Sequence, residues 1–155
     1  MIGYAATTTF AITLASLAAA SSRESSAISA SVGGTSYDDF MIQMSVGSSQ
    51  STTAADKAVY VWFSGSADGT TYDTPALGSD AAITIGTNHN LKGPFTVSIP
   101  AGTTTYVFSI PSVSQFFGGI IPKKWNIIVE NQTNGALNGT EGNFLKYLTP
   151  VFYTT

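Results

Sequence analysis

Apolar and polar residues alternate with a period of two along several stretches of the chain, as expected of strands with one face in a core and the other toward solvent. Phe10, Ile12 and Leu14 alternate with Ala11, Thr13 and Ala15, and Phe40, Ile42, Met44 and Val46 alternate with Met41, Gln43 and Ser45. Both stretches predict half-buried strands. Val59, Val61 and Phe63 instead alternate with Tyr60 and Trp62. Large apolar groups on both faces predict a central strand lying between the core and a second covering surface. Shorter candidates span 82–86, 95–99, 104–110, 125–131 and 144–153, with a weaker one at 26–32. The Ala-rich run 17–22 has no i, i+3, i+4, i+7 stripe and reads as a loop, and 47–53 and 77–80 are polar, turn-rich connections. Together these elements predict one all-β domain over residues 1–155, a jelly-roll-like antiparallel β-sandwich of about eight or nine strands.

A chain of 155 residues suits a single domain. Its 43% hydrophobic content comes with only 10% charged residues, against about 25% in an average domain. A free enzyme normally carries more charge for solubility, so the deficit points to surface covered by partners. Nine acidic and six basic residues give a net charge of -3, which supplies no electrostatic footprint for nucleic acid. The absence of cysteine removes disulfides, thiolate metal sites and cysteine nucleophiles together. The apolar run 10–20 has the character of a secretion-signal core but lacks a basic region ahead of it, the first positive charge being Arg23. It is also too short to span a bilayer. It is therefore expected to belong to the fold, with no membrane partner.

Candidate chemistry is sparse. The one histidine, His89, lies in the polar stretch 87–91, which reads as an exposed loop, and a lone histidine assembles neither a triad nor a multi-histidine metal site. Asp38 and Asp39 are adjacent, so on a strand they point to opposite faces and read as solvated turn carboxylates. An acid/base pair would need Glu130 or Glu141 brought close by the fold. Ser66-Ala67-Asp68-Gly69-Thr70-Thr71-Tyr72 resembles the Asp-box turn of sialidase propellers with one residue missing between Asp and Gly, and Asp-Gly is by itself a turn signal. Asp68, Asp73 and Asp80 lack EF-hand spacing. No glycine pattern has phosphate-loop spacing, and the two Asn-x-Thr triplets at Asn131 and Asn138 are too short to count as glycosylation sites. The expectation is no catalytic residue, no cofactor and no metal. Tyr60, Trp62 and Tyr72 are aromatics of the kind that stack on sugars, and equally of the kind that fill a sandwich core.

The segment 116–125 (FFGGIIPKKW) is the most distinctive in the chain. Gly118 and Gly119 let the backbone turn after Phe117, Pro122 suits the first position of a strand, and Lys123 and Lys124 would guard an exposed strand start. Trp125, Ile127 and Val129 then face one side and Asn126, Ile128 and Glu130 the other, with Asn134-Gly135 as a tight-turn signal. Phe117-Gly-Gly-Ile-Ile-Pro-Lys-Lys-Trp125, with Asn131-Gln-Thr-Asn-Gly-Ala-Leu137 and Thr140-Glu-Gly-Asn143, resembles a group of small tailed-bacteriophage virion proteins. Their C-terminal half carries an F-G-G-x-[LI]-P-[KR]-[KR]-W segment, an N-x-T-G-x-A-L-like turn and a Y-x-P-V-type closing strand. Ile12-Thr-Leu-Ala-Ser-Leu17 and Arg23-Glu-Ser25 also fit the group. The likeness covers both ends of the chain; 47–100 matches only in strand-and-turn character, and Asn134 is an extra residue before Gly135.

The resemblance implies a non-enzymatic structural protein of the virion, assembled in the host cytoplasm: a capsid decoration (cement) protein that binds the major capsid protein lattice as a homo-oligomer. A neck, collar or tail component is the alternative within the same class. A carbohydrate-binding module for host adhesion, with Trp62 and Tyr72 as stacking platforms, is the alternative outside it. Under the first reading, Lys123, Lys124, Tyr60 and Trp62 are the interface candidates. Phe117, Gly118, Gly119, Pro122 and Trp125 form the core and turn of a sandwich corner.

Overall fold

The computed structural model describes residues 1–32, 34–48, 58–99 and 105–153. In chain order the strands are β1 (Ile2–Tyr4), β2 (Thr8–Thr9), β3 (Ser21–Glu24), β4 (Ile28–Ser29), β5 (Ser31–Val32), β6 (Thr35–Ser36), β7 (Asp39–Val46), β8 (Val59–Ser66), β9 (Ala81–Ile83), β10 (Lys92–Val97), β11 (Tyr106–Ile110), β12 (Lys124–Asn131) and β13 (Lys146–Tyr153). Single 3₁₀ turns lie at Ser114–Phe117 and Glu141–Asn143. Among the described residues no helix is long and apolar enough to cross a membrane.

Two antiparallel sheets pack as a sandwich. The first has the order β1-β13-β7-β11, with β2 also on β13, and the second β10-β8-β12-β3-β9, with β4 also on β12. β1 and β2 act as one interrupted strand along β13, and β3 and β4 as another along β12. The break between β3 and β4 is mended by Ser25, whose Oγ accepts the Ile127 N–H and whose own N–H reaches the Ile127 carbonyl. With these merged, the first strand pairs with the last, the second with the seventh, the third with the sixth and the fourth with the fifth. This is the winding of a jelly roll, so the expected fold class holds. The short β5–β6 hairpin and β9 are additions to it.

The core lies between the sheets. Phe40, Ile42, Met44 and Val46 of β7 face Val59, Val61 and Phe63 of β8 and Trp125, Ile127 and Val129 of β12, and all are buried. Aromatic rings bridge the two layers. Phe40 meets Trp125 with ring centroids 5.2 Å apart, Trp125 lies 6.3 Å from Phe63, and Phe63 stacks on Phe116 at 4.5 Å.

The segment 10–15 departs from the expected strand in an instructive way. Phe10, Ile12 and Leu14 are buried and Ala11 and Thr13 exposed, as the alternation requires, but the segment joins no ladder. Its N–H groups go mainly to carboxylates: Thr13 N–H to Asp80 Oδ1 at 3.1 Å, and Leu14 and Ala15 N–H to Glu141 Oε2 at 2.9 and 2.7 Å. The polar strand β3 falls at the end of the run expected to be a loop, because its sequence, Ser-Ser-Arg-Glu, has no apolar alternation. Thr104 and most of the 47–53 connection lie outside the described residues.

The outer face of the second sheet is covered by the chain itself. Residues 67–91 fold back so that Ala76 and Leu91, with Tyr72, Ile83 and Ile85, pack over Ile128 and Trp62. Glu24, with no solvent exposure, fastens this cover: its Oε2 accepts from Asn126 Nδ2 at 2.7 Å and from the backbone N–H groups of Leu77 and Gly78 at 2.9 and 3.1 Å. The second covering surface expected for β8 is therefore intramolecular.

Replacing Trp125 by Ala removes the ring that joins the two layers, so thermal or urea unfolding should show a loss of about 3–5 kcal/mol. A variant that melted like the parent would mean that the sheets are held together elsewhere.

Candidate functional site

The corner at 114–125 is built on the 3₁₀ turn Ser114–Phe117. Gly118 and Gly119 leave it at φ 73° and 94°, conformations that side-chain-bearing residues rarely adopt, and the Gly119 N–H closes the turn on the Ser114 carbonyl. Phe116 rather than Phe117 makes the closer contact with the core; Phe117 is half-buried and meets Phe63 edge-on at 6.4 Å. Pro122 lies two residues ahead of β12 rather than at its first position. It packs over Gly65, where an added Cβ would come within 2.7 Å of the ring. Trp125 is completely buried.

Lys123 and Lys124 do not guard a sheet edge, because β12 is a central strand flanked by β8 on one side and β3 and β4 on the other. Lys124 is half-buried opposite Ser66, and Lys123 is exposed beside Gly69, its Nζ 3.4 Å from the Asp68 carbonyl. Asn134-Gly135 does not close a hairpin either. β12 and β13 lie in different sheets, and the turn is held by buried Asn131, which accepts from the Thr133 N–H and Oγ1 and donates to the Leu17 and Gly135 carbonyls. That burial places Asn131 out of reach of any modifying enzyme in the folded protein.

The carboxylates are engaged one by one. Asp39, expected to be solvated, is buried, and its Oδ1 accepts from the N–H groups of Phe40, Val113 and Ser114. Asp38 takes the Tyr153 N–H and Asp73 that of Gly65. Glu141 holds Leu14 and Ala15 and pairs with Lys146. Glu130 accepts from Trp62 Nε1 and Gln132 Nε2. These acids sit in separate networks, and the structure brings no acid/base pair together from Asp38, Asp39, Glu130 and Glu141. Asp68 accepts the N–H groups of Thr71 and Thr70 and the hydroxyls of Thr71 and Ser66, and these bonds hold its carboxyl far below the usual range. Asp80 is raised by burial but more strongly lowered by Arg23, whose Nε lies 2.6 Å away, and by Thr13. Among the described residues no cluster of three or more metal-ligating His, Asp or Glu side chains forms.

The aromatic candidates on the second sheet are likewise committed. Trp62 is half-buried, donates to Glu130 at 2.8 Å and meets His89 edge-on at 5.0 Å. His89 is thus half-buried against the sheet rather than in an exposed loop. Tyr72 stands over Gly78, and burial, followed by the charges of Glu24 and Asp68, pushes its hydroxyl above the ordinary value. Neither ring is presented as an open stacking platform. Tyr60 is half-buried between Thr96 and Glu130.

The outer face of the first sheet is the opposite case. Ile2 pairs with Tyr153 and Tyr4 with Val151, and Tyr147 and Val107 project from the same side. Tyr4 and Tyr153 are each 61% exposed, and Ile2, Val107 and Tyr147 are also exposed. The outward positions of β1, β7, β11 and β13 include one carboxylate, Asp39, which is buried in its backbone contacts, and no lysine or arginine. This face was legible only as the alternation Tyr147, Thr149, Val151, Tyr153; which side of it would be covered was not.

No protein-family model, curated protein or solved structure matches the chain.

The lowered carboxyls make stability depend on pH. A depressed folded value means that the stabilisation is full above the ordinary 3.8 of an aspartate and is lost as pH falls through the lower folded value. In melts between neutral pH and pH about 3, Asp80→Asn should therefore melt below the parent at neutral pH, with the gap narrowing below pH about 4. A gap independent of pH would show that the Asp80 charge does not support the fold.

Proposed function

We propose that the chain is a structural protein of a tailed-phage virion, a capsid decoration protein that lays the outer face of its β1-β13-β7-β11 sheet on the major capsid protein lattice. The observation that carries this reading is the contrast between the two outer faces. One is closed by the chain's own 67–91 segment, and the other is left open, without an exposed charge at its outward strand positions, and set with tyrosines and aliphatic residues. Interface cores are depleted of charge and enriched in aromatics, tyrosine among them, so the open face has the composition of a surface that is covered in use. Two further points support it. Jelly rolls recur in viral capsid and lectin domains, though a fold alone does not imply a function. The segment Phe117 to Trp125 resembles that of small virion proteins. Copies arranged as a homo-oligomer on a symmetric shell gain avidity from many weak contacts.

Quantifying the chain against the major capsid protein in purified particles tests the reading. Decoration requires amounts comparable to the capsid protein, whereas a trace amount would move the protein to the neck or tail. In parallel, Tyr4→Asp combined with Tyr153→Asp should melt like the parent, since both side chains are exposed, yet fail to bind particles that lack the protein. Normal binding by this variant would remove the open face from the contact.

A further inference from the structure

At the 114–125 corner a cavity of about 280 Å³ opens between the 3₁₀ turn and the end of β8. Phe116, Phe117, Ile120 and Pro122 supply apolar walls, and Lys92 and Asp73 stand at the rim. Ile120 is 78% exposed, beside two glycines and two lysines. The charges around it are unequal. Asp73 has Lys92 at 3.8 Å, and the Asp68 carboxylate is bonded into its own turn, but no carboxylate lies within ion-pairing distance of Lys123 or Lys124 among the described residues. In a protein of net charge -3, this corner therefore carries two lysines without an ion pair, Lys123 with its Nζ on the Asp68 carbonyl, directly after Pro122 in the wall of the apolar notch.

We propose that the corner is a docking site for a partner segment bearing one apolar side chain flanked by carboxylates. The volume falls short of a pocket for a cofactor-sized molecule, which typically needs about 300–1,000 Å³, and suits one large side chain. Phe116, Phe117 and Pro122 would receive that side chain, with Ile120 closing over it. Lys123 and Lys124 would meet the flanking carboxylates, charge against charge, at the solvated rim where such pairs govern encounter rate and salt dependence. A second copy of the chain is a poor occupant, because the described carboxylates are engaged by their own backbone and side chains. The site shares no lining residue with the open sheet face and goes beyond the decoration reading: it holds whether or not the main partner is a capsid.

The test is an NMR titration of the full chain with the peptide acetyl-Asp-Asp-Phe-Asp-Asp-amide, compared with peptides that replace the Phe by Ala or all four Asp by Asn. The acidic Phe peptide should shift the amides of Phe117, Ile120 and Lys123. Either replaced peptide should bind at least tenfold more weakly, and binding should weaken as salt is added. Lys123→Glu with Lys124→Glu should lose the binding, as should Ile120→Asp; Lys123→Ala with Lys124→Ala and Ile120→Ser serve where the first pair melts low. Equal binding of the Asn or Ala peptide would overturn the proposal, as would shifts confined to other surfaces. So would concentration-dependent shifts of the same amides without peptide, which would put a second copy in the notch. None of these outcomes depends on the amount of protein in particles, so the docking site and the decoration reading can fail separately.

Discussion

Carboxylates bonded to backbone N–H groups hold this sandwich in shape. A jelly roll passes long connections across its ends and faces, and wherever such a connection is buried its N–H groups need acceptors that no neighbouring strand provides. Here Glu24 serves Leu77 and Gly78, Asp39 serves Val113 and Ser114, Glu141 serves Leu14 and Ala15, and Asp80 serves Thr13. Each joins segments far apart in sequence. Hydrogen bonds to a charged acceptor are stronger than neutral ones, and their loss leaves both the donor and the buried acceptor unpaired.

The placement of the acids shapes the surface. Glu24 and Asp39 are buried, Asp38 and Asp68 stay exposed at the ends of strands and in turns, and the outward strand positions of the first sheet carry no charge in solvent. Among the described residues Lys123 and Lys124 form no ion pair at the corner, and Lys123 donates to the Asp68 carbonyl instead. Glu24, together with Asp73, Asp80 and the β3–β9 ladder, fastens the 67–91 segment over one sheet, and the other outer face stays free. The proposed function thus descends from a structural constraint rather than from a reactive group.

Much of the fold could be read in the sequence where burial follows local alternation. β7, β8 and β12 appear at their places, and Phe10, Ile12 and Leu14 fall in the core as the pattern requires. β3 could not be read, because its buried positions are Ser22 and Glu24, polar residues whose burial depends on partners brought from elsewhere. The strand pairings are long-range, which is why Lys123 and Lys124 read as guards of an exposed strand start although β12 is flanked on both sides. At the candidate site, Gly118, Gly119 and Trp125 do what their chemistry suggests. Trp62 and Asp39 do not, because each found a hydrogen-bond partner far away in sequence or fold: Glu130 for the one, the start of the 3₁₀ turn for the other.

The central claim is that single carboxylates hold individual segments onto the sandwich, and amide hydrogen exchange in Glu24→Ala tests it most directly. The Glu24 side chain accepts from the 67–91 segment at the Leu77 and Gly78 N–H groups and is wholly buried, while its backbone lies opposite Ala81 in the β3–β9 ladder. The account predicts that protection at those two amides collapses, while Ala81–Ile83, held on the β3 ladder, and Leu14, Ala15, Val113 and Ser114, held by other carboxylates, keep theirs. Unchanged protection at Leu77 and Gly78, or a uniform loss across both sheets, would contradict it.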